Sequence, residues 1–433
     1  MNDEQPVPKE YPYKEGLPTA PPFPAESQRC AKCGACTSVC PVAKITGNEA
    51  HTARGRMHLL GKLTDHKHSE AFLDIVSKCL LCGACTAVCP REINHPRLVA
   101  EARHKASSLF GPSSFRSFLA LKTLAHPNLL SAVTNLFKLS SEFRNNLPPD
   151  SGLRIKLGIP SPQGTSSPTP HSLSTPAHKP DILIFSGCLA HHLTPAIEQT
   201  TAALASTATG ETVHRPDQQG CCGLASFSAG DLAVARRLAQ KNITAFADHP
   251  QTPILTPCAS CYSHLHSYPD LFKDDREWLF KAKAFSERVN ELSTFLMPRL
   301  PPLMRQNALT TPPLSLTVVY HDPCHLKHRK EMATIPRRLL AMTPGINLQE
   351  LPHGSQCCGL GGLFHLNHQD LSQRIAESLL AEILEARIDR IVTSCSGCLI
   401  QFHRLLPPDG RTKAIHLAML LAHHLPSERE AFR

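Results

Sequence analysis

Eighteen cysteines, all of them falling into two internal repeats, constrain this chain more than any other feature. The first repeat reads Cys30, Cys33, Cys36, Cys40-Pro41 and returns as Cys79, Cys82, Cys85, Cys89-Pro90, each member displaced by 49 residues. The second reads Cys188, Cys221, Cys222, Cys258, Cys261 and returns as Cys324, Cys357, Cys358, Cys395, Cys398, displaced by 136 residues for the first three and 137 for the last two. No cysteine is left over, so ligand service rather than packing set their number. Reducing compartments keep thiols free, which makes metal or redox chemistry the expectation over disulfides.

A chain of 433 residues exceeds a single core and predicts two or three domains. The apolar fraction of 41% is enough for packed interiors, whereas 5% aromatics and 38 prolines fit a chain interrupted by loops. There is no run of eighteen apolar residues and no secretion signal, which predicts a cytoplasmic protein. The formal charge of +9 invites a nucleic-acid reading. Two bound four-iron cubanes with their thiolates bring it to about +5, so the basic excess is weak evidence and no nucleic-acid partner is expected.

Composition divides the chain. Residues 1–27 read as a disordered tail, 28–146 as a ferredoxin-type domain, and 147–180, crowded with Pro, Ser, Thr and Gly, as a linker. Residues 181–296 and 316–433 then form two copies of one unit, separated by a linker at 297–315. The runs DILIFS, TPILT, LTVVY and RIVTS read as strands, ending near Cys188, Cys258, Cys324 and Cys395. That puts thiols at the carboxyl ends of strands, where open α/β sheets build their sites. Helical patterns follow each Cys-Cys-Gly, and in the second Leu371, Ile375, Leu379 and Ile383, with Leu380 and Leu384 beside them, mark one apolar stripe. The fold class expected is therefore multidomain α+β and α/β: a helical ferredoxin-like two-cluster domain, then two homologous α/β cysteine-rich domains.

The run C-x2-C-x2-C-x3-C-P wraps three thiolates on one 4Fe-4S cubane and sends the fourth to the other cluster. Cys30, Cys33, Cys36 and Cys89 are thus expected to hold one cluster, and Cys79, Cys82, Cys85 and Cys40 the second. Paired zinc sites gain nothing from the third close cysteine. Five soft ligands are one too many for a simple cubane or zinc, which points to an unusual cluster or a reactive thiol beside a four-ligand site. Zinc with one free cysteine is the alternative. Gly223 and Gly359 permit close backbone approach. Arg54 and Arg56 of ARGRM fit two roles, stabilising anionic clusters or lying as solvated surface charge. Gly359, Gly361 and Gly362 fall short of a nucleotide loop and read as a turn. His191, His192, His321, His325 and His328 lie near the cysteines, yet in a chain of 25 histidines they read mostly as surface residues, and none is expected as a ligand. Phe115 to Leu139, broken at His126-Pro127, reads as helix for core or subunit packing, with an interfacial membrane helix as the alternative.

The complete cysteine order, with CxxCGxCTxxCP twice, ARGRM, QGCCG, SQCCG, YHDPCHL at Tyr320 to Leu326 and SCSGC at Ser394 to Cys398, resembles the iron-sulfur subunit of glycolate oxidase. Related iron-sulfur subunits serve D-lactate dehydrogenases and anaerobic glycerol-3-phosphate dehydrogenase, and the catalytic subunit of heterodisulfide reductases shares the architecture. The resemblance implies an oxidoreductase subunit with two [4Fe-4S] clusters and no catalytic residue of its own. A separate FAD-containing subunit would oxidise glycolate or D-lactate, and this chain would pass the electrons to quinone or another acceptor, with peripheral association at the cytoplasmic face of the inner membrane. It also implies that Cys188, Cys221, Cys222, Cys258 and Cys261 can hold a third, noncubane cluster, and Cys324, Cys357, Cys358, Cys395 and Cys398 a fourth. Both five-cysteine sets are intact, which keeps open a catalytic subunit that cleaves a disulfide at such a cluster.

Overall fold

The computed structural model describes residues 25–62, 70–110, 115–125, 180–300 and 315–423. The expected tail and linkers, and the stretch from His126 to Leu139, lie almost wholly outside those residues. The described chain forms two compact units.

The first unit is helical among its described residues. Met57 and Leu60 of helix Ala53–Lys62, Phe72 and Val76 of Glu70–Ser77, and Leu98, Val99 and Ala102 of His95–Phe110 bury one apolar face together with Leu81 and Ile93. The three- and four-residue spacings place these side chains on one side of each helix, and each full burial of a large aliphatic contributes about 1.5–3 kcal/mol. Pro41 opens helix Pro41–Thr46 with Cys40 as its N-cap, and Gly47 closes it in the left-handed region. The unit is not contiguous in sequence. It also takes in 225–232 and 359–375, the segments that follow each Cys-Cys-Gly. They pack closely against it: a Cβ on Gly230 would lie 2.5 Å from the His104 backbone nitrogen on helix His95–Phe110, and one on Gly361 would press on the Leu80 side chain. Gly359, Gly361 and Gly362 have positive φ in a turn, as the sequence suggested.

The second unit holds two four-stranded parallel sheets. Strands β1 (Ile182–Ile184), β2 (Val213–His214), β3 (Ile254–Thr256) and β4 (Val289–Glu291) take the order β2-β1-β3-β4. Strands β5 (Leu316–Tyr320), β6 (Ile346–Gln349), β7 (Arg390–Thr393) and β8 (Lys413–His416) repeat it as β6-β5-β7-β8. All four runs read as strands in the sequence are strands. Their continuous Ile/Leu/Val character reflects burial on both faces of a parallel sheet. One core joins the two copies: Ile182, Leu255, Leu292 and Leu296 pack with Val318, Val392, Leu417 and Leu421. On helix Gln369–Glu385, Leu371, Ile375, Leu379 and Ile383 are buried as expected, but Leu384 is half exposed. It stands one residue past Ile383, and a 100° step carries it off the stripe.

In each sheet the chain runs from the first strand outward to the edge, then back to the other side. The point of reversal lies between β1 and β3, and between β5 and β7, where doubly wound sheets open their binding crevice. The cysteines follow these strands.

A candidate metal centre in each half of the cysteine pattern

Of the eight cysteines of the first repeat, Cys85 sits in the short helix Ala84–Ala87 and the others on loops and turns, and the backbone repeats in part along with the sequence. Lys32 and Leu81, 49 residues apart, both have φ near +55°, and Gly34 and Gly83 are near +80°. Thr37 N–H bonds to Gly34 O and Thr86 N–H to Gly83 O. Such left-handed steps turn successive N–H groups inward, the geometry that cradles anions and Fe–S sites. Arg54 N–H donates to the Cys36 sulfur and Ala84 N–H to that of Cys82.

The grouping of these thiols follows from their surroundings. One small pocket is lined by Cys30, Cys33, Cys36 and Cys89, with Arg54 at its wall. Cys40 keeps other company. Burial, then the like charges of Cys79 and Cys40, pushes the Cys82 thiol up to about 11. Burial, then Cys79, Cys82, Cys40 and last Cys36, push Cys85 higher still. Thiols crowded this way cannot all ionise without a cation among them, and a set of soft donors short of positive charge is what a cluster requires.

Positive charge is also supplied by the chain. Arg56, 2% exposed, donates to the carbonyls of His51, Ile75 and Lys78. Arg103 donates to Val76, Ser77, Cys79 and Ser228. Together they cap the carboxyl end of helix Glu70–Ser77, where cations are favoured. Neither makes an ion pair with a carboxylate among the described residues. The two arginines of ARGRM therefore part company: Arg54 is about one-third exposed and paired with Glu49, whereas Arg56 is buried.

In the first five-cysteine set, Cys188 starts helix Cys188–Leu193, Cys258 caps helix Ala259–His266, and Cys221, Cys222 and Cys261 are buried around them. Cys188 and Cys221 sulfurs are 3.4 Å apart. Gly187 has φ +76°, and a Cβ there would press on the Cys261 sulfur at 2.8 Å. The positive φ of Gly223 lets its N–H turn back to the Cys221 sulfur. Two residues that the sequence reading missed hold this loop. Asn242 donates to Cys221 O at 2.9 Å and accepts from Gly220 N–H at 2.9 Å, and Tyr268 Oη donates to Cys222 O at 2.8 Å. Both are fully buried, on elements whose sequence carries no metal signature.

The second set repeats the plan. Cys324 starts helix Cys324–Lys327, Cys395 caps Ser396–Leu405, and Cys358 and Cys398 sulfurs are 3.5 Å apart. Asp322, 5% exposed, forms a two-pronged ion pair with Arg337 that ties the end of β5 to helix Ile335–Met342. The two sets meet where the two copies adjoin. Cys258 is held well below the usual thiol range by the Cys261 thiol and then by Cys395. Ser260 Oγ of the first copy reaches Cys395 Sγ at 3.2 Å and His325 Nδ1 at 2.9 Å. Ala259 N–H donates to Ser394 O. None of the eighteen cysteines is in a disulfide, and sulfur separations of 3.4–3.5 Å are far outside disulfide range.

The histidines correct the expectation of surface positions. His191 does stand half-exposed, bonded to Glu198 at 2.8 Å. His321 is 6% exposed, and its ligand nitrogen and the sulfurs of Cys358 and Cys398 all lie within 4.8 Å of one another. His264, not singled out in the sequence, is buried beside Cys221, and burial pulls it down to about 4.

Fold and donor sets define an iron–sulfur protein with a two-cluster helical domain and a duplicated α/β cysteine-rich domain. The 4Fe-4S dicluster domain family matches residues 26–93, and the cysteine-rich domain family matches 182–266 and 318–403. The chain is 29% identical to the probable glycolate oxidase iron-sulfur subunit of Bacillus subtilis over 92% of this chain and 93% of that protein. It is 30% identical to lactate utilization protein A of a Geobacillus species over 48% of this chain and 84% of that one. A solved structure, a hypothetical protein from Helicobacter pylori, aligns over 78% of this chain and 69% of that one, with TM-score 0.41 and 10% identity. The chain belongs to the iron–sulfur subunit family that includes the glycolate oxidase subunit and lactate utilization protein A. It is thus an oxidoreductase subunit.

Proposed function

We propose that this chain carries electrons from a flavin-containing 2-hydroxy-acid dehydrogenase subunit, acting on glycolate or D-lactate, to quinone or another acceptor. The observation that supports the reading is the company of the two crossing cysteines: Cys89 lines one pocket with Cys30, Cys33 and Cys36, and Cys40 is among the charges around Cys82 and Cys85. Each of these quartets would hold one [4Fe-4S] cluster, and each five-cysteine set would hold a further metal centre. Bound clusters supply one-electron acceptors and donors. The chain's part is to hold the thiolates, to donate N–H groups to their sulfurs, and to set buried guanidiniums beside Cys79. Substrate chemistry would belong to the FAD-containing partner. The site is cytoplasmic in this reading, and no described helix is long and apolar enough to cross a membrane, so contact with a membrane acceptor would be peripheral.

The purified chain should oxidise neither glycolate nor D-lactate with a dye acceptor, and its visible absorption should bleach when a flavoprotein that copurifies with it is given the hydroxy acid. Turnover by the chain alone would overturn the reading. A second reading, disulfide reduction, is supported by two complete five-cysteine sets meeting at Cys258 and Cys395. It requires that the chemically reduced chain deliver two electrons and two protons to a small disulfide, releasing two thiols.

A further inference from the structure

One structurally equivalent position beside the thiols separates the two five-cysteine sets in metal-binding capacity. Phe185 follows β1 and bonds through its N–H to Leu255 O at 2.9 Å. His321 follows β5 and bonds in the same way to Val392 O at 2.8 Å. The 136- and 137-residue displacements relate both members of each pair. Phe185 is wholly buried against Phe246. His321 is nearly so, its ring set edge-on against Phe402 at 4.9 Å. In the second copy, then, an imidazole replaces a phenyl ring at the edge of the thiol set.

Among the described residues, His321 with Cys358 and Cys398 is the one group of three such ligand atoms lying within 4.8 Å of one another. The Cys358–Cys398 sulfur separation of 3.5 Å is close to the roughly 3.8 Å that two metal–sulfur bonds of about 2.3 Å span at a tetrahedral angle. The apolar wall supplied by Phe402 leaves a buried imidazole no solvent, and a metal ion flanked by two thiolates is a fitting partner for its lone pair.

We propose that His321 is a metal ligand: with Cys358 and Cys398 it binds one metal ion, making the second five-cysteine set a mixed nitrogen–sulfur centre. Its counterpart in the first copy presents a phenyl ring at that position. This rests on the reading that the five-cysteine sets are metallated.

The test uses the full-length protein, purified anaerobically from cells fed [15N]histidine. Metal content of wild type and Cys358→Ser, compared, reports whether the second set is loaded. If Cys358→Ser loses no metal, the parent reading fails. If it loses iron, pulsed EPR should detect a directly bound histidine nitrogen that vanishes in His321→Phe and persists in His325→Phe. If it loses zinc, X-ray absorption at the zinc edge should show one imidazole, lost in the same variant. His321→Gln serves should the phenylalanine variant not fold, and the wild-type spectrum decides by itself in one direction. A loaded second set with sulfur ligation alone, or a nitrogen signal that survives loss of His321, overturns the proposal.

Discussion

Replacing Arg103 by methionine should cost the helical unit about 4 kcal/mol, the order expected when several buried hydrogen bonds from a charged donor are lost together. One guanidinium satisfies four carbonyls: Val76 at 2.9 Å, Ser77 at 2.9 Å, Cys79 at 2.6 Å and Ser228 at 2.5 Å. Methionine fills a similar volume but leaves those oxygens without a donor. Burial pulls the Arg103 guanidinium down to about 10, which leaves it protonated at neutral pH, so a full charge is removed as well. Losing a cation beside Cys79 disfavours the more negative reduced state, and the potential of the cluster held there should fall. Arg103→Lys separates the two effects. It keeps the charge, and with it the potential, but three ammonium donors lack the planar reach of the guanidinium, so stability returns only in part. Anaerobic denaturant unfolding and a redox titration check the pair. A methionine variant within about 1 kcal/mol of wild type would contradict the role assigned to these bonds.

Substitution of the two crossing cysteines should give opposite results at the two clusters. Cys89→Ser should reproduce the iron loss and EPR spectrum of Cys33→Ser, and Cys40→Ser those of Cys82→Ser, each losing about four irons of one cubane. The reason lies in the neighbours of each: the pocket of Cys30, Cys33 and Cys36 includes Cys89, whereas Cys40, after Cys79, is among the charges felt by Cys82 and Cys85. If each fourth cysteine served its own triplet, the two spectra would exchange partners.

Much of this was legible because cysteine spacing reports ligand geometry directly. The 49-residue displacement predicted equivalent loops, and the backbone repeats down to the left-handed residues Lys32 and Leu81. Strand runs such as DILIFS were visible because strands buried on both faces are continuous apolar runs. What escaped the sequence depends on contacts between distant segments. Asn242 and Tyr268 look like ordinary residues until the fold brings them to the Cys221–Cys222 carbonyls. Arg103 carries no motif, and its value comes from the end of a helix some 25 residues earlier. His321 read as one of 25 histidines because burial is a tertiary property. The recruitment of residues 225–232 and 359–375 into the helical unit was hidden for the same reason: composition marks linkers, and these segments are not linkers.

The account depends on the thiolates being committed to inorganic clusters, and the most direct measurement is iron and acid-labile sulfide per chain in anaerobically purified protein. Two cubanes require about eight of each, and metallated five-cysteine sets add to the metal total. A brown protein with at least that content is the predicted result. A colourless protein rich in zinc and free of sulfide would contradict it.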